Sequence, residues 1–197
     1  MDFWDGVFGD EYTDRNKGDK LYASNIAYFA QSLRNASGIK TIMELGANRG
    51  MNIMALNALY PFATTSAVEM NEKAFEELQE VCTGEAINAD LTEYQCGTTY
   101  DLVFTKGLLI HIPPQHLEKI YKLLYTTSEQ YILIGEYYNP VPLMIPYRGE
   151  DNRLWKRDFA GEMIDRYPLK LIDYGFVYKR GSFPQDDITW FLLEKEF

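Results

Sequence analysis

The sequence predicts an α/β fold: a mostly parallel sheet with helices on both faces and an antiparallel hairpin at its C-terminal end. Three observations predict it. Short apolar runs alternate with stretches of helical spacing from about residue 20 to residue 136, the pattern of consecutive βαβ units. The run Thr41-Ile42-Met43-Glu44-Leu45 passes through a glycine-containing turn, Gly46-Ala47-Asn48-Arg49-Gly50, into a helix, and Ala67-Val68-Glu69 answers it downstream. The rhythm then changes. Leu169 to Tyr178 and Ile188 to Glu194 read as paired strands joined by a turn rich in Gly, Pro and Asp.

The elements follow in order. Leu21, Ile26, Phe29 and Leu33 keep roughly helical spacing, which predicts a helix over 20–36. Ile39 to Leu45 is the first strand and Met51 to Leu59 the helix after the turn, with Pro61 helping to end it. Thr65 to Glu69 is the second strand, and Asn71 caps a helix from Ala74 to Cys82. Ala86 to Ala89 is a short third strand and Leu102 to Thr105 the fourth. Pro113-Pro114 opens a helix over 116–126, and Tyr131 to Glu136 is the fifth strand. Residues 139–158, with their prolines and charges, read as loop, and Arg157 to Tyr167 as helix.

Composition sets the bounds. At 197 residues, 46% of them hydrophobic, the chain suits one domain, 1–197, with a sizeable core. No apolar run is long enough to span a membrane. The acidic, aromatic start is unlike a signal peptide, and two cysteines, Cys82 and Cys96, make no disulfide framework, so a reducing cytoplasm is expected. The formal net charge is −10 and the pI about 4.7. Nucleic-acid binding draws its affinity largely from Lys and Arg on phosphates, so no nucleic-acid partner is expected. His111 and His116 lack i, i+4 spacing and no carboxylate or cysteine cluster completes a set, so no metal is expected. A monomer or homodimer suits this size.

The chemistry is concentrated in the first βαβ unit. Glu69 closes an apolar strand about 20 residues beyond the glycine turn, where a carboxylate receives ribose hydroxyls. Glu44 precedes the turn, and Asn48 stands where the middle glycine of a dinucleotide loop would be. A pyrophosphate at the following helix N-terminus would not tolerate that nearby negative charge. A cofactor without phosphates, such as S-adenosylmethionine with its cationic sulfonium and amino groups, would.

The ordered set Glu44-Leu45-Gly46-Ala47-Asn48-Arg49-Gly50, Glu69, Asn88-Ala89-Asp90 and Tyr100-Asp101-Leu102-Val103-Phe104 resembles the class I S-adenosylmethionine-dependent methyltransferases over roughly residues 40 to 135. The resemblance implies a Rossmann-like, mostly parallel seven-stranded sheet. It also implies S-adenosylmethionine as cofactor and S-adenosylhomocysteine as product. Gly46, Asn48 and Gly50 would form the cofactor loop, and Met70 would pack under the adenine. Asp90 would read the adenine amino group, with Leu91 packing on the ring. Asn48 departs from the family's usual Gly but tolerates left-handed backbone angles better than most residues. In open α/β sheets the ligand lies beyond the carboxyl ends of the strands, which gathers Gly46 to Gly50, Glu69-Met70, Asp90-Leu91 and Lys106 to His111 around one crevice.

A closer resemblance extends over nearly the whole chain. Residues 3–16, Gly135-Glu136-Tyr137-Tyr138-Asn139-Pro140, Pro146-Tyr147-Arg148-Gly149, Lys156-Arg157-Asp158-Phe159 and Phe183-Pro184-Gln185-Asp186-Asp187 resemble the small methyltransferases associated with pseudaminic acid biosynthesis. In related enzymes an N-terminal segment closes over the cofactor. The resemblance therefore implies a lid within residues 1–36, with Tyr12 and Arg15 meeting the methionine carboxylate.

His111, after the fourth strand, titrates near neutrality when unperturbed and is a candidate to take the acceptor proton. A structural or positioning role is the alternative. Tyr138 is the second candidate for that proton. An insertion over 137–168 would cover the acceptor side, with Tyr137, Asn139, Tyr147, Arg148, Arg153, Lys156 and Arg157 as substrate contacts. Aromatics among cations suit a polar, acidic small molecule such as a sugar or nucleotide-sugar. The expected activity is methyl transfer to such an acceptor. The rival readings are a non-catalytic cofactor-binding regulator and a methyltransferase acting on protein or RNA.

Overall fold

The computed structural model describes residues 18–147 and 150–196. Helix α1 (Asp19–Ser32) leads into strand β1 (Thr41–Leu45). Helix α2 (Met51–Leu59), strand β2 (Thr64–Glu69), helix α3 (Glu72–Gln79) and strand β3 (Ala86–Asn88) follow. After β4 (Tyr100–Lys106), two short 3-10 turns precede α4 (Leu117–Thr127) and β5 (Ser128–Glu136). The chain then forms β6 (Leu143–Tyr147), β7 (Glu150–Lys156), α5 (Phe159–Ile164), β8 (Leu169–Val177) and β9 (Ile188–Lys195).

Seven strands form one sheet in the order β3-β2-β1-β4-β5-β9-β8. β1 pairs parallel with β2 and β4, and β9 alone runs antiparallel, between β5 and β8. The C-terminal hairpin expected from the sequence therefore reaches past β5 and returns with its last strand beside it.

Strand alternation divides the core into two layers. Ile42, Leu102, Phe104, Tyr131, Leu133, Trp190 and Leu192 face α1 and α2, where Tyr28, Phe29, Ile53 and Leu56 cover them. Met43, Val103, Ile132, Ile134 and Leu193 face α4 and α5, with Ile120, Leu124, Phe159 and Met163. Burial on both faces explains why these strands read as continuous apolar runs. The helix starts match their local signals: Asn71 caps α3 by accepting from Ala74 N at 2.9 Å, and α4 begins directly after the Pro113-Pro114 turn.

Two expectations are corrected. Within the stretch 139–158, expected as loop, β6 and β7 pair antiparallel as a separate two-stranded ribbon. The register shifts between Ile145 and Tyr147, so Pro146 lies at the irregularity. A proline is tolerated at a bulge or an edge, and both strands of this ribbon are edges. The expected helix over 157–167 is also shorter, because Asp158 caps it and Gly161 N donates to Asp158 Oδ1 at 2.9 Å. Among the described residues, no helix is long and apolar enough to cross a membrane.

Candidate active site

The loop after β1 is shaped by backbone geometry that its residues permit. Gly46, Asn48 and Gly50 take φ values of 76°, 49° and 83°. Asn48 thus occupies the left-handed region, which asparagine enters at lower cost than most residues. Gly46 N and Ala47 N both donate to the Val68 carbonyl, at 2.9 and 3.1 Å, which ties the loop to the end of β2. A Cβ at Gly46 would sit 2.5 Å from Leu108 Cδ1, so a side chain there would push the Leu108 side chain aside.

Glu69 organises the same region. Its Oε2 accepts from Asn48 N at 2.7 Å, and its Oε1 accepts from Met70 N and Asn71 N at 2.9 and 2.8 Å. One carboxylate therefore fixes the left-handed loop and the entry to α3. It is 9% exposed and lines the cleft that opens beside it.

That cleft lies at the carboxyl ends of β1, β2, β3 and β4 and holds about 1080 Å³, open mouth included. Of the residues expected at the crevice, Gly46, Asn48, Glu69, Met70, Leu91, Lys106 and His111 line it. Gly50 stands just behind as the left-handed residue that starts α2. Asp90 Oδ1 accepts from Thr92 N and Oγ1 at 2.8 Å each, and its neighbours Ala89 and Leu91 supply the cleft wall.

The expected acceptor residues gather elsewhere. Tyr138 and Arg157 line a second, smaller crevice with Glu136, Phe159 and Phe191. Arg157 Nε pairs with Glu162 Oε1 at 2.7 Å. The Tyr137 hydroxyl donates to Asp186, and the Lys156 ammonium lies 5.1 Å from the centre of the Tyr137 ring. Asn139 Nδ2 donates to the Val141 carbonyl. The backbone places Tyr147 on β6 and Arg153 on β7. Tyr12, Arg15 and Arg148 lie outside the described residues.

Beneath the cleft is a buried polar layer. Glu44 is fully buried on the face of β1 that meets α2, where Asn52 Nδ2 donates to its Oε1 at 2.6 Å. The other oxygen, Oε2, has no hydrogen-bond partner among the described residues. Burial pushes the Glu44 carboxyl up to about 8, against the Asn52 hydrogen bond and the Lys106 charge, and the nearby Glu69 charge adds to the rise. Burial likewise pulls the Lys106 ammonium down to about 8, although Glu44 and Glu136 favour its charge. An unpartnered buried carboxylate oxygen is costly unless a donor or cation is destined for it.

No protein-family model matches the sequence, and no curated protein matches it. Solved structures do. The magnesium protoporphyrin IX methyltransferase of Synechocystis PCC 6803, solved with bound S-adenosylmethionine, superposes with a TM-score of 0.70 at 16% identity, covering 99% of this chain and 94% of that one. A S-adenosylmethionine-dependent methyltransferase from Clostridium acetobutylicum ATCC 824 gives 0.67 at 12% identity, over 96% of this chain and 98% of its own. The plantazolicin methyltransferase BpumL, solved with S-adenosylhomocysteine, gives 0.67 at 10% identity, over 99% and 92%. The chain has the class I methyltransferase fold.

Three polar residues of this methyltransferase-fold site escape the sequence patterns used above. Asn25 and Asn52 line the cleft from α1 and α2. Asn25 carried a faint signal, as a polar residue four positions after Leu21 in an otherwise apolar helix stripe. Glu136 had a stronger one: it closes the apolar strand β5 as Glu44 and Glu69 close or nearly close β1 and β2. Its Oε1 accepts from Leu108 N and Leu109 N at 3.0 Å each, and its Oε2 from Ile110 N at 3.3 Å. Glu136 thereby holds the turn that delivers Leu108 and His111 to the cleft. Burial pushes its carboxyl up to about 7, against those backbone hydrogen bonds. Glu136→Ala leaves two buried N–H groups, of Leu109 and Ile110, and the half-buried one of Leu108 unmatched and is expected to destabilise the fold by about 2–4 kcal/mol in urea denaturation. A loss below about 1 kcal/mol would mean that the turn keeps its shape unaided.

Proposed function

We propose that this protein transfers the methyl group of S-adenosylmethionine to a nucleophile on a polar small molecule. The observation that carries the reading is the pair of acids on either side of the Gly46–Gly50 loop. Glu69 is held rigidly at the cleft wall, where a ribose diol would meet it, and Glu44 presents a buried oxygen in want of a cation. The residues fit that cofactor. Met70, Ala89, Leu91 and Ile112 supply an apolar slot for the adenine ring. Glu44 and Asn52 would take the amino group, and Lys106 the carboxylate, of the amino-acid tail. The solved neighbours with bound S-adenosylmethionine or S-adenosylhomocysteine support the same choice.

When bound, the cofactor supplies an electrophilic methyl on a cationic sulfur. The protein's share is to align the acceptor in line with it, which can account for much of the acceleration, and to exclude water with Leu108 and Ile112. His111, at the end of the turn that Glu136 holds, stands on the cleft wall to take the acceptor's proton at an imidazole nitrogen. We read Tyr138 as a contact on the acceptor flank, since its half-exposed ring lies against Phe191. The preference for an acidic acceptor, a sugar or nucleotide-sugar, draws on Lys156 with Arg148 and Arg153, because Arg157 is matched by Glu162.

Calorimetric titration of the purified protein with S-adenosylmethionine and S-adenosylhomocysteine tests the cofactor. Micromolar binding of both is expected. A screen of acidic sugars and nucleotide-sugars for S-adenosylhomocysteine release then tests the acceptor. No heat with either ligand, in a sample that melts cooperatively, would overturn the reading.

A further inference from the structure

A buried contact system reaches the floor of the cleft from the far hairpin. Gln185 lies in the β8–β9 connection, yet it is only 6% exposed. Its Nε2 donates to Asn25 Oδ1 at 3.0 Å, across 160 positions of sequence. The same oxygen accepts from Lys106 Nζ at 3.2 Å, and Asn25 Nδ2 donates to the Met51 carbonyl at the start of α2 at 3.2 Å. Asn25 is 1% exposed. Turning its amide over would set its nitrogen against two donors and its oxygen against a carbonyl, losing all three bonds. Gln185 therefore helps to lock the amide that orients the Lys106 ammonium.

The location gives this lock a purpose. Glu69, Met70, Ala89 and Leu91 occupy the β2–β3 end of the cleft, and Leu21, Asn25 and Lys106 the α1–β4 end. With the nucleoside at the first end, the charged amino-acid tail of the cofactor reaches the second. We propose that Gln185 is a positioning residue for that tail: through Asn25 it holds the Lys106 ammonium toward the cofactor carboxylate. The proposal rests on the cofactor reading above. The next residue, Asp186, receives the Tyr137 hydroxyl, so the same two residues of the hairpin touch both the cofactor floor and the acceptor flank.

The experiment compares two ligands in wild type and Gln185→Met by calorimetry, with melting temperatures alongside. S-Adenosylhomocysteine carries the charged tail; methylthioadenosine keeps the nucleoside and sulfur without it. Gln185→Met is expected to weaken S-adenosylhomocysteine about tenfold, the size of one lost hydrogen bond to a charged system, and to leave methylthioadenosine within about twofold. Gln185→Leu, of similar size and without the donor, is expected to give the same split and serves if the Met variant does not fold. Equal weakening of both ligands, or none of either, would reduce Gln185 to a tether of the hairpin and overturn the proposal. Wild type that binds neither ligand would instead overturn the cofactor reading, and this proposal with it.

Discussion

Glu69→Ala is expected to raise the dissociation constant for S-adenosylhomocysteine by about 10- to 100-fold. Three backbone N–H groups already occupy most of the carboxylate, so one charge-assisted hydrogen bond to a ribose hydroxyl, contributing about 1.5–3 kcal/mol, is counted, and each 1.4 kcal/mol is about tenfold in affinity. A second effect acts in the same direction. The Glu69 carboxylate holds Asn48 N, Met70 N and Asn71 N, so its removal frees the left-handed loop that shapes the cleft. Glu69→Gln separates the two. Its carbonyl oxygen can replace one carboxylate oxygen toward the backbone, while its amide nitrogen faces a backbone N–H as a second donor. Calorimetry on both variants, with melting temperatures, reads the result. Binding within about threefold of wild type in the Ala variant would show that Glu69 does not hold the ribose.

Glu44→Gln is expected to move stability and binding in opposite directions. The Glu44 carboxyl titrates at about 8 in the folded protein against an ordinary 4.5. Between those values the folded chain keeps a proton that the unfolded chain has released, so stability falls as pH rises through the window. The contribution is whole below about pH 4.5 and lost above about pH 8. Glu136, pushed up to about 7, gives a slope of the same sign in both proteins, so the difference between them reports Glu44 together with its charge coupling to Lys106. The Gln variant carries no such proton. It should match wild type near pH 5 and exceed it by about 1–3 kcal/mol near pH 8 in urea denaturation of the ligand-free protein. Its affinity for S-adenosylhomocysteine should fall about 10- to 100-fold, because an amide cannot neutralise the cofactor's ammonium. Unchanged affinity would mean that the unpartnered Glu44 oxygen does not receive that group. An absent stability gain would mean that water or local rearrangement relieves its burial.

The sequence by itself determined the βαβ alternation, the five parallel strands β1 to β5, the Asn71 cap and the placement of Glu69 beside the glycine turn. Each rests on short-range physics: the period of apolar residues, the turn chemistry of Gly and Asn, and one acid at a strand tip. Asn48 in the left-handed region belongs here too, since its backbone preference is its own. Only the tertiary structure decided which partners distant segments take. β9 sits between β5 and β8 because its alternating residues, Trp190 and Leu192 on one face and Leu193 on the other, complete both core layers there. Residues 143–147 and 150–156 pair into a ribbon despite Pro146 because two edge strands can spare a donor. Arg157, a free cation to the sequence, is matched by Glu162. Asn25, Glu136 and Gln185 became site residues through contacts across long sequence separations. Burying a polar group is favourable only where a distant partner meets it, and no local pattern records that partner.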